Sequence, residues 1–259
     1  MKKLKVCLSF DDGREDFYDY AFPILKEYNL PATLNVTTGY VDGTFKPNWE
    51  SSYGAVSKEE LKELKKNKIE LAYHGDQHIT DKKDFMNSIK KFEKWGIKSD
   101  KMGFAVPGSY LEGIDTNSLQ KYLNNNNVIY MRVGNAKICD NFLNKVYRKL
   151  YRMTKINLFY QLYNKNNLID KIAPYDLPSI IVFKDDNALT LNRFLRHNCK
   201  KNRSVIFMLH GVLPTNHKCY GKDEYAWSKQ NFEELCKCLN QLVNDNKIEV
   251  LTVMDLLKE

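Results

Sequence analysis

Two adjacent carboxylates, Asp11 and Asp12, stand at the end of a short apolar run in the segment VCLSFDDGRED (residues 6–16). The apolar run predicts a buried strand, and Gly13 predicts that the strand ends directly after the two acids. An Asp-Gly pair is common in turns, but two neighbouring like charges repel each other. A divalent cation would offset that repulsion. The pair therefore indicates either an ordinary turn or a metal site.

Two histidines in the segment HGDQH, His74 and His78, follow the apolar run IELAY. Residues four apart share one side of a helical turn, so both imidazoles could reach one ion. Two imidazoles and one carboxylate leave an open position on a catalytic zinc ion. We predict Asp12, His74 and His78 as ligands of one divalent transition metal. Zn²⁺ is favoured, and Co²⁺, Ni²⁺, Mn²⁺ and Fe²⁺ are compatible with the same ligands. Asp11 is then predicted to be the base that takes a proton from the activated water.

Strand-like and helix-like patterns alternate along the chain. The predicted strands are KVCLSF, ATLNVTT, IELAYH, MGFAVP, VIYMRV, SIIVF, SVIFML and IEVLTV. Such alternation predicts parallel strands joined by crossover connections, and about eight strands favour a (β/α) barrel over an open doubly wound sheet. No internal repeat or linker-like segment interrupts the pattern. We therefore predict an α/β fold with a single domain over residues 1–259.

Further polar residues follow other predicted strands. Pro107 and Gly108 come after MGFAV, Arg132 ends VIYMR, and His210 directly follows SVIFML. Functional groups of parallel α/β folds collect at the carboxyl ends of the strands. These residues are therefore predicted to lie at the same end of the barrel as the two acids and the histidine pair.

The composition limits the class of protein. Hydrophobic residues make up 43% of the 259 residues, as in folded globular chains. The net charge is +8, but the lysines are dispersed without a long basic block, which predicts a solvated surface and no nucleic-acid partner. The six cysteines are scattered, and neither an export signal nor a membrane span is evident. These features predict a cytoplasmic protein.

The segment from Asn141 to Lys165 mixes leucines and tyrosines with basic residues. Such a composition is typical of a helix that lies on a membrane surface, here the inner face of the membrane. An amphipathic helix pair that packs on the barrel has the same composition, and such pairs are more common than membrane-surface helices. Both alternatives remain open from the sequence, with packing favoured.

Four motifs together resemble the polysaccharide deacetylase family, also described as the NodB homology domain or carbohydrate esterase family 4. They are SFDDG (Ser9–Gly13), HGDQH (His74–His78), FAVPG (Phe104–Gly108) and MLHG (Met208–Gly211). The resemblance extends over nearly the whole chain. It implies an incomplete or distorted (β/α)7–8 barrel, in agreement with the alternation of strands and helices.

The resemblance also implies residue roles. Asp11 would be the catalytic base, and His210 the general acid that protonates the leaving amine. The metal and a backbone N–H near Pro107 and Gly108 would stabilise the oxyanion. The implied reaction is metal-dependent removal of an N-acetyl group from an amino sugar or glycan precursor. The substrate would be an acetylated sugar, a sugar nucleotide, a lipid-linked sugar or an oligosaccharide.

Two alternatives keep the same fold. One is a deformylase or another amide hydrolase that uses the same site on a sugar or small amide. The other is a carbohydrate-binding pseudoenzyme without turnover. Tyr110 and Trp227 lie in loop-like stretches and are predicted as rings that could stack on a sugar.

Two departures of the sequence from the family pattern concern the orientation of Asp11 and His210. Ala105 stands where the family often has an arginine that orients the catalytic aspartate, and Arg132 could supply that missing charge. The fourth family motif is absent, and either Asp176 or Asp185 could orient His210 in its place.

Overall fold

Apolar runs form most of the strands in the computed structural model, which describes residues 3–47, 54–109, 115–134 and 142–258. Eight of the strands in these ranges form one parallel sheet, and the remaining two, β8 and β9, pair with each other. The strands are β1 (Leu4–Phe10), β2 (Ala32–Val36), β3 (Ile69–Tyr73), β4 (Met102–Ala105), β5 (Val128–Arg132), β6 (Ile180–Ile181), β7 (Ser204–Leu209), β8 (Gly211–Leu213), β9 (Ala226–Ser228) and β10 (Ile248–Leu251).

The sheet has the order β5-β4-β3-β2-β1-β7-β6, and β10 pairs with β1. Strand β1 lies at the centre and pairs along its length with β7. It also pairs with β10 over Leu4–Cys7 and with β2 over Ser9–Phe10, so these two strands share its other edge. The predicted α/β class and the incomplete (β/α) barrel are confirmed.

An irregular segment precedes β6 and runs beside β5, and these two strands are the ends of the strand order. The Met131 amide donates to the carbonyl of Pro174 at 2.8 Å, and the Leu177 amide donates to the carbonyl of Met131 at 3.1 Å. The chain then enters β6 and pairs with β7. Because one segment runs beside β5 and continues into β6, the barrel is distorted at this position.

Helices cover the sheet, and their buried faces follow the apolar periodicity of the sequence. Helix α9, for example, buries Phe232, Leu235, Leu239 and Leu242. No helix in the described ranges is both long and apolar enough to cross a membrane. The helices are α1 (Phe22–Glu27, preceded by a π-helical turn at Phe17–Ala21), α2 (Thr38–Val41), α3 (Lys58–Lys66), α4 (Lys82–Trp95), α5 (Thr116–Asn125), α6 (Phe142–Thr154), α7 (Asn157–Asn164), α8 (Ala188–Asn198), α9 (Lys229–Asn244) and α10 (Val253–Leu256).

The basic and aromatic segment forms the helix pair α6 and α7; Asn141 itself is outside the described residues. The rings of Tyr151 and Tyr160 are buried between them, with centroids 5.0 Å apart. Tyr160 in turn meets Phe194 of α8 with centroids 5.6 Å apart. One face of the pair therefore packs on the body of the protein, as the packing alternative predicts.

Candidate active site

The residues predicted as catalytic groups and metal ligands meet in one pocket at the carboxyl ends of the strands. Asp11 and Asp12 follow β1, the two histidines follow β3, and His210 follows β7. The pocket is lined by Asp11, Asp12, Arg14, His74, His78, Gly108, Arg148, Ile181, Phe183, Met208, His210, Asp223 and Tyr225. The topology thus brings together polar groups from widely separated parts of the chain.

One carboxylate and two imidazoles form a cluster in this pocket. Asp12, His74 and His78 each offer a ligand atom, and these atoms lie within 4.8 Å of one another. The Nε2 atoms of both histidines are 3.6 Å from Oδ1 of Asp12. This spacing is compatible with three groups that surround a single cation.

The histidine pair lies in a loop, so the expectation of a helical turn was wrong. The backbone turns instead through left-handed conformations at Gly75 (φ 79°) and His78 (φ 56°), and the two rings lie 4.9 Å apart. Asp12 also has a positive φ of 78°. Such conformations cost side-chain-bearing residues of order 1 kcal/mol and occur often at functional sites. These conformations direct the side chains of Asp12 and His78 into the cluster.

The donor set fits a divalent transition metal. Nδ1 of His74 contacts the carbonyl of Ala105 at 3.0 Å and is therefore the protonated nitrogen. Nε2 of His74 consequently carries a lone pair, is buried, and has no hydrogen-bond partner among the described residues. It faces the Asp12 carboxylate, which is also an acceptor, and a cation between them would satisfy both.

Burial sets the protonation of this cluster. It lowers the pKa of His74 to about 3, so the imidazole is neutral at pH 7. Burial likewise raises the pKa of Asp12 to about 6, and the neighbouring Asp11 acts in the same direction, against the opposing charge of His210. A neutral imidazole and a carboxylate that is destabilised without a counter-charge both favour cation binding.

Arg132 holds Asp11 in a buried ion pair in which one nitrogen contacts both carboxylate oxygens. One guanidinium nitrogen, Nη2, lies 2.7 Å from each carboxylate oxygen. The side-chain amide of Asn35 donates to the same carboxylate at 2.8 Å. Burial alone would raise the pKa of Asp11, but the charge and hydrogen bond of Arg132, together with the neighbouring His74 and His210, outweigh it and lower the pKa to about 2. Arg132 thus contacts Asp11 in a chain that has Ala105 where the family often has the orienting arginine. The contact between Asn35 and Asp11 was not predicted.

His210 lies across the pocket from the histidine pair. Its Nε2 is 4.0 Å from Oδ2 of Asp11, and its ring packs against that of Tyr225 with centroids 4.7 Å apart. Its Nδ1 is buried without a hydrogen-bond partner in the described part of the chain. Neither predicted carboxylate orients it: Asp185 pairs with Lys155, and Asp176 lines a separate surface cavity. The aromatic contact with Tyr225 positions the ring instead.

A second buried ion network borders the pocket and was not predicted. Arg14 donates to Asp223 at 2.7 Å and to Asp16 at 3.1 Å. Burial raises the pKa of Asp16 to about 6 against the opposing charge of Arg14. The sequence carries no signal for the pairing of Arg14 with Asp223, because the two residues are distant along the chain. The network fixes the part of the chain that follows Asp11 and Asp12.

This network requires a glycine at position 211. A Cβ there would lie 2.4 Å from Oδ2 of Asp16 and 2.5 Å from Nη2 of Arg14. We expect Gly211→Ala to lower the free energy of unfolding by about 1–3 kcal/mol, the usual cost of overpacking a buried site. Urea denaturation measures this change. Gly221→Ala is the matched control, since a Cβ at Gly221 meets no atom within 4 Å. Equal stability of the two variants would contradict the steric requirement.

The other residues predicted to contact the substrate differ in whether they line the pocket. Gly108 lines the pocket in a left-handed conformation (φ 68°), whereas the neighbouring Pro107 is buried. Tyr110 lies outside the described residues. Trp227 was wrongly predicted: it is only 1% exposed, and its Nε1 donates to the backbone carbonyl of Asp186 at 2.7 Å. It is buried because β9 pairs with β8 beneath the pocket.

The aromatic rings that do line the pocket are Phe183 and Tyr225, with centroids 5.6 Å apart. Helix α6 contributes Arg148, whose guanidinium lies 5.1 Å from the centre of the Phe183 ring. Sequence reasoning missed all three residues, since each lies in a segment without a motif. They form an amphipathic wall opposite the cluster of acids and histidines.

Asp186 supports this wall and gives a pH-dependent prediction. Burial raises its pKa from 3.8 to about 6, although Tyr151 and the Phe183 amide donate to its carboxylate, each at 2.9 Å. Because the folded state holds the proton more tightly, this group stabilises the fold fully below about pH 4, and the contribution is lost as pH rises through 6. From pH 4 to 7, we expect the unfolding free energy of the wild type to fall by about 2 kcal/mol relative to Asp186→Asn.

Denaturant titrations at several pH values measure that difference. Asp185→Asn is the control, because Lys155 lowers the pKa of this neighbouring acid despite its partial burial, and it stays ionised over the same range. Parallel pH profiles for the wild type and Asp186→Asn would show that Asp186 is ionised at pH 4 in the folded protein.

A parallel α/β barrel with an Asp-His-His cluster at its strand ends agrees with the predicted resemblance to polysaccharide deacetylases. The family model for polysaccharide deacetylase matches residues 1–109, and the predicted resemblance is confirmed.

Curated relatives match the same half of the chain. A poly-beta-1,6-N-acetyl-D-glucosamine N-deacetylase of Staphylococcus aureus is 33% identical over 126 residues, which is 48% of this chain and 37% of that protein. The protein of the same name from Staphylococcus epidermidis is 27% identical over 124 residues, with the same two coverages. The matched region is thus little more than a third of these relatives.

Solved structures show the fold over the whole chain. A family 4 acetyl xylan esterase from Clostridium thermocellum, in complex with a cobalt ion, has a TM-score of 0.52, 15% identity, and coverage of 98% of this chain and 90% of that chain. The Bc1960 peptidoglycan N-acetylglucosamine deacetylase has a TM-score of 0.51, 14% identity, and coverage of 96% and 86%.

Proposed function

We propose that this protein is a metal-dependent hydrolase that removes an N-acetyl group from an amino sugar in a polysaccharide or glycan precursor. The observation that carries the proposal is the cluster of Asp12, His74 and His78, with Asp11 and His210 beside it in one pocket. The names of the staphylococcal relatives, which act on poly-N-acetylglucosamine, support the choice of substrate class.

Asp12, His74 and His78 would hold the metal. When bound, a divalent transition metal polarises the amide carbonyl and lowers the pKa of water towards ~7. Zinc suits this donor set best, and the cobalt in the acetyl xylan esterase structure supports a site open to several transition metals.

The chain's own residues would handle the protons. Arg132 keeps Asp11 ionised and fixed, so that its carboxylate can accept a proton from the attacking water. Water adds to the carbonyl carbon, and the backbone N–H near Gly108 would donate to the oxyanion. His210 would then protonate the amine nitrogen as the C–N bond breaks. The products are acetate and the free amino sugar.

The amphipathic wall would bind the sugar. Phe183 and Tyr225 present apolar ring faces, and pyranose rings pack well on such faces through their C–H groups. Arg148 beside them supplies hydrogen-bond donors for sugar hydroxyls. Phe183 and Tyr225 would thus stack on the sugar, which is the role that the sequence predicted for Trp227.

Acetate release tests the proposal. The protein, loaded with zinc or cobalt, is incubated separately with β-1,6-linked and chitin-type N-acetylglucosamine oligomers, a sugar nucleotide, a lipid-linked acetylated sugar and a formylated amino sugar. Acetate from an oligomer or a precursor supports N-deacetylation and identifies the form of the substrate. Release of formate alone would favour the deformylase alternative. Metal binding without release of either acid would favour the pseudoenzyme.

A further inference from the structure

Exposed apolar side chains concentrate on the helix pair α6 and α7. Of the eight large hydrophobic residues that are exposed in the described parts of the chain, five lie between positions 142 and 158. We call these five, together with Lys149, the α6–α7 face: Phe142, Leu143, Lys149, Met153, Ile156 and Leu158. Phe142 and Met153 are 76% and 73% exposed, so these side chains lie almost free in solvent. Clustering of this kind marks an interaction surface.

The same segment is strongly basic. Residues 141–169 contain six lysines and arginines and no aspartate or glutamate. Lys149 is exposed, and it lies on the same side of α6 as Phe142 and Met153, at helical spacings of seven and four residues. A positively charged side chain therefore lies between two large apolar side chains on one side of α6.

We propose that the α6–α7 face docks on the surface of an anionic lipid bilayer. Large apolar side chains would enter the boundary between headgroups and acyl chains, while the lysines meet the lipid phosphates. A second copy of the chain fits less well, because an isologous contact would place two basic segments against each other. A free polyanion would neutralise the charges and leave the apolar side chains in water.

Docking would also place the pocket near the membrane. Arg148 lies on α6 and lines the pocket, and both Arg148 and Arg152 stack on Phe183 of the pocket wall, at 5.1 and 4.9 Å. Since a helix with its side chains is about 10 Å across, the pocket would open close to the bilayer surface. The face is thus positioned to bring substrates held at a membrane to the site.

Vesicle flotation tests the proposal independently of catalysis. The full chain is mixed with vesicles of phosphatidylcholine alone or of phosphatidylcholine with one third phosphatidylglycerol. We expect binding to the anionic vesicles only. Binding should weaken between about 0.1 M and 1 M salt, because the screening length falls from about 10 Å to 3 Å.

Point variants locate the contact. Each basic residue near an anionic surface changes the partition coefficient about fivefold, so Lys149→Glu should weaken binding roughly 25-fold. Phe142→Ser with Met153→Ser should weaken it at least about tenfold. Lys237→Glu and Val243→Ser, at exposed positions of α9, make matched changes away from the face and should retain near-wild-type binding.

Three results would overturn the proposal. The first is no binding to anionic vesicles at low salt. The second is equal loss of binding in the face variants and the α9 controls, which would reflect net charge alone. The third is a dimer in sedimentation experiments that Phe142→Ser abolishes, which would make a second copy the occupant. Thermal unfolding of each variant verifies that it is folded.

Discussion

Asp11→Asn is expected to lower kcat by 10²–10⁴-fold, the usual contribution of a general base, while the protein retains its metal. Asparagine keeps the shape of the side chain but cannot accept the proton of the attacking water. Asp12, His74 and His78 are unchanged, so metal content measured by mass spectrometry should stay near that of the wild type. An unchanged rate would show that Asp11 is not the base.

The variant also removes the counter-charge of a buried arginine, because Arg132 is only 1% exposed. Breaking such a pair costs about 3–5 kcal/mol, so misfolding could imitate a catalytic defect. Adding Arg132→Met to Asp11→Asn removes the unpaired charge. We expect this double variant to regain much of the lost stability in urea denaturation and to remain inactive. Activity in the folded double variant would refute the assignment of the base.

His74→Ala is expected to abolish metal binding and activity together. The imidazole is one of three protein ligands, and even the hydrogen-bond partners of such ligands contribute 10–100-fold to metal affinity. We therefore expect the affinity for zinc to fall by more than about 100-fold, as measured by competition with a chromogenic chelator. The partner of Nδ1, the carbonyl of Ala105, would be left without its donor, and a modest loss of stability should accompany the change.

His197→Ala is the matched control, because this histidine is exposed on α8, away from the pocket lining. It should bind metal and turn over substrate as the wild type does. If His74→Ala binds zinc as tightly as His197→Ala does, the cluster is not the metal site, and the proposed hydrolase loses its main support.

The sequence was sufficient to predict the strands after which the two acids, the histidine pair and His210 lie. Parallel strands end at one edge of the sheet, so a residue directly after a buried strand has a predictable position. The positions of Asp11 and His210 could be predicted from this rule alone. Arg132 could be predicted for the same reason, although its two-point contact with Asp11 depends on the distance between β1 and β5, which no pattern reveals.

Other features depended on contacts between distant segments. Trp227 lies in a polar stretch that resembles a loop, but pairing with β8 buries it. Tyr225, two residues earlier, was passed over and lines the pocket. The burial of Trp227 depends on this strand pairing and not on local composition. The loop at His78 was likewise unpredictable, since its left-handed turn is stabilised by tertiary contacts and opposes the residue's own preference.

The position of β10 bears on how the chain assembles during synthesis. Strands β1 and β10 pair in register from Leu4 with Ile248 to Cys7 with Leu251, so half of one edge of β1 stays open until residues 248–251 have been synthesised. Contacts between such distant segments slow folding, and an unpaired strand edge promotes aggregation. We therefore expect chaperones that shield β1 until β10 is available to raise the yield of folded protein.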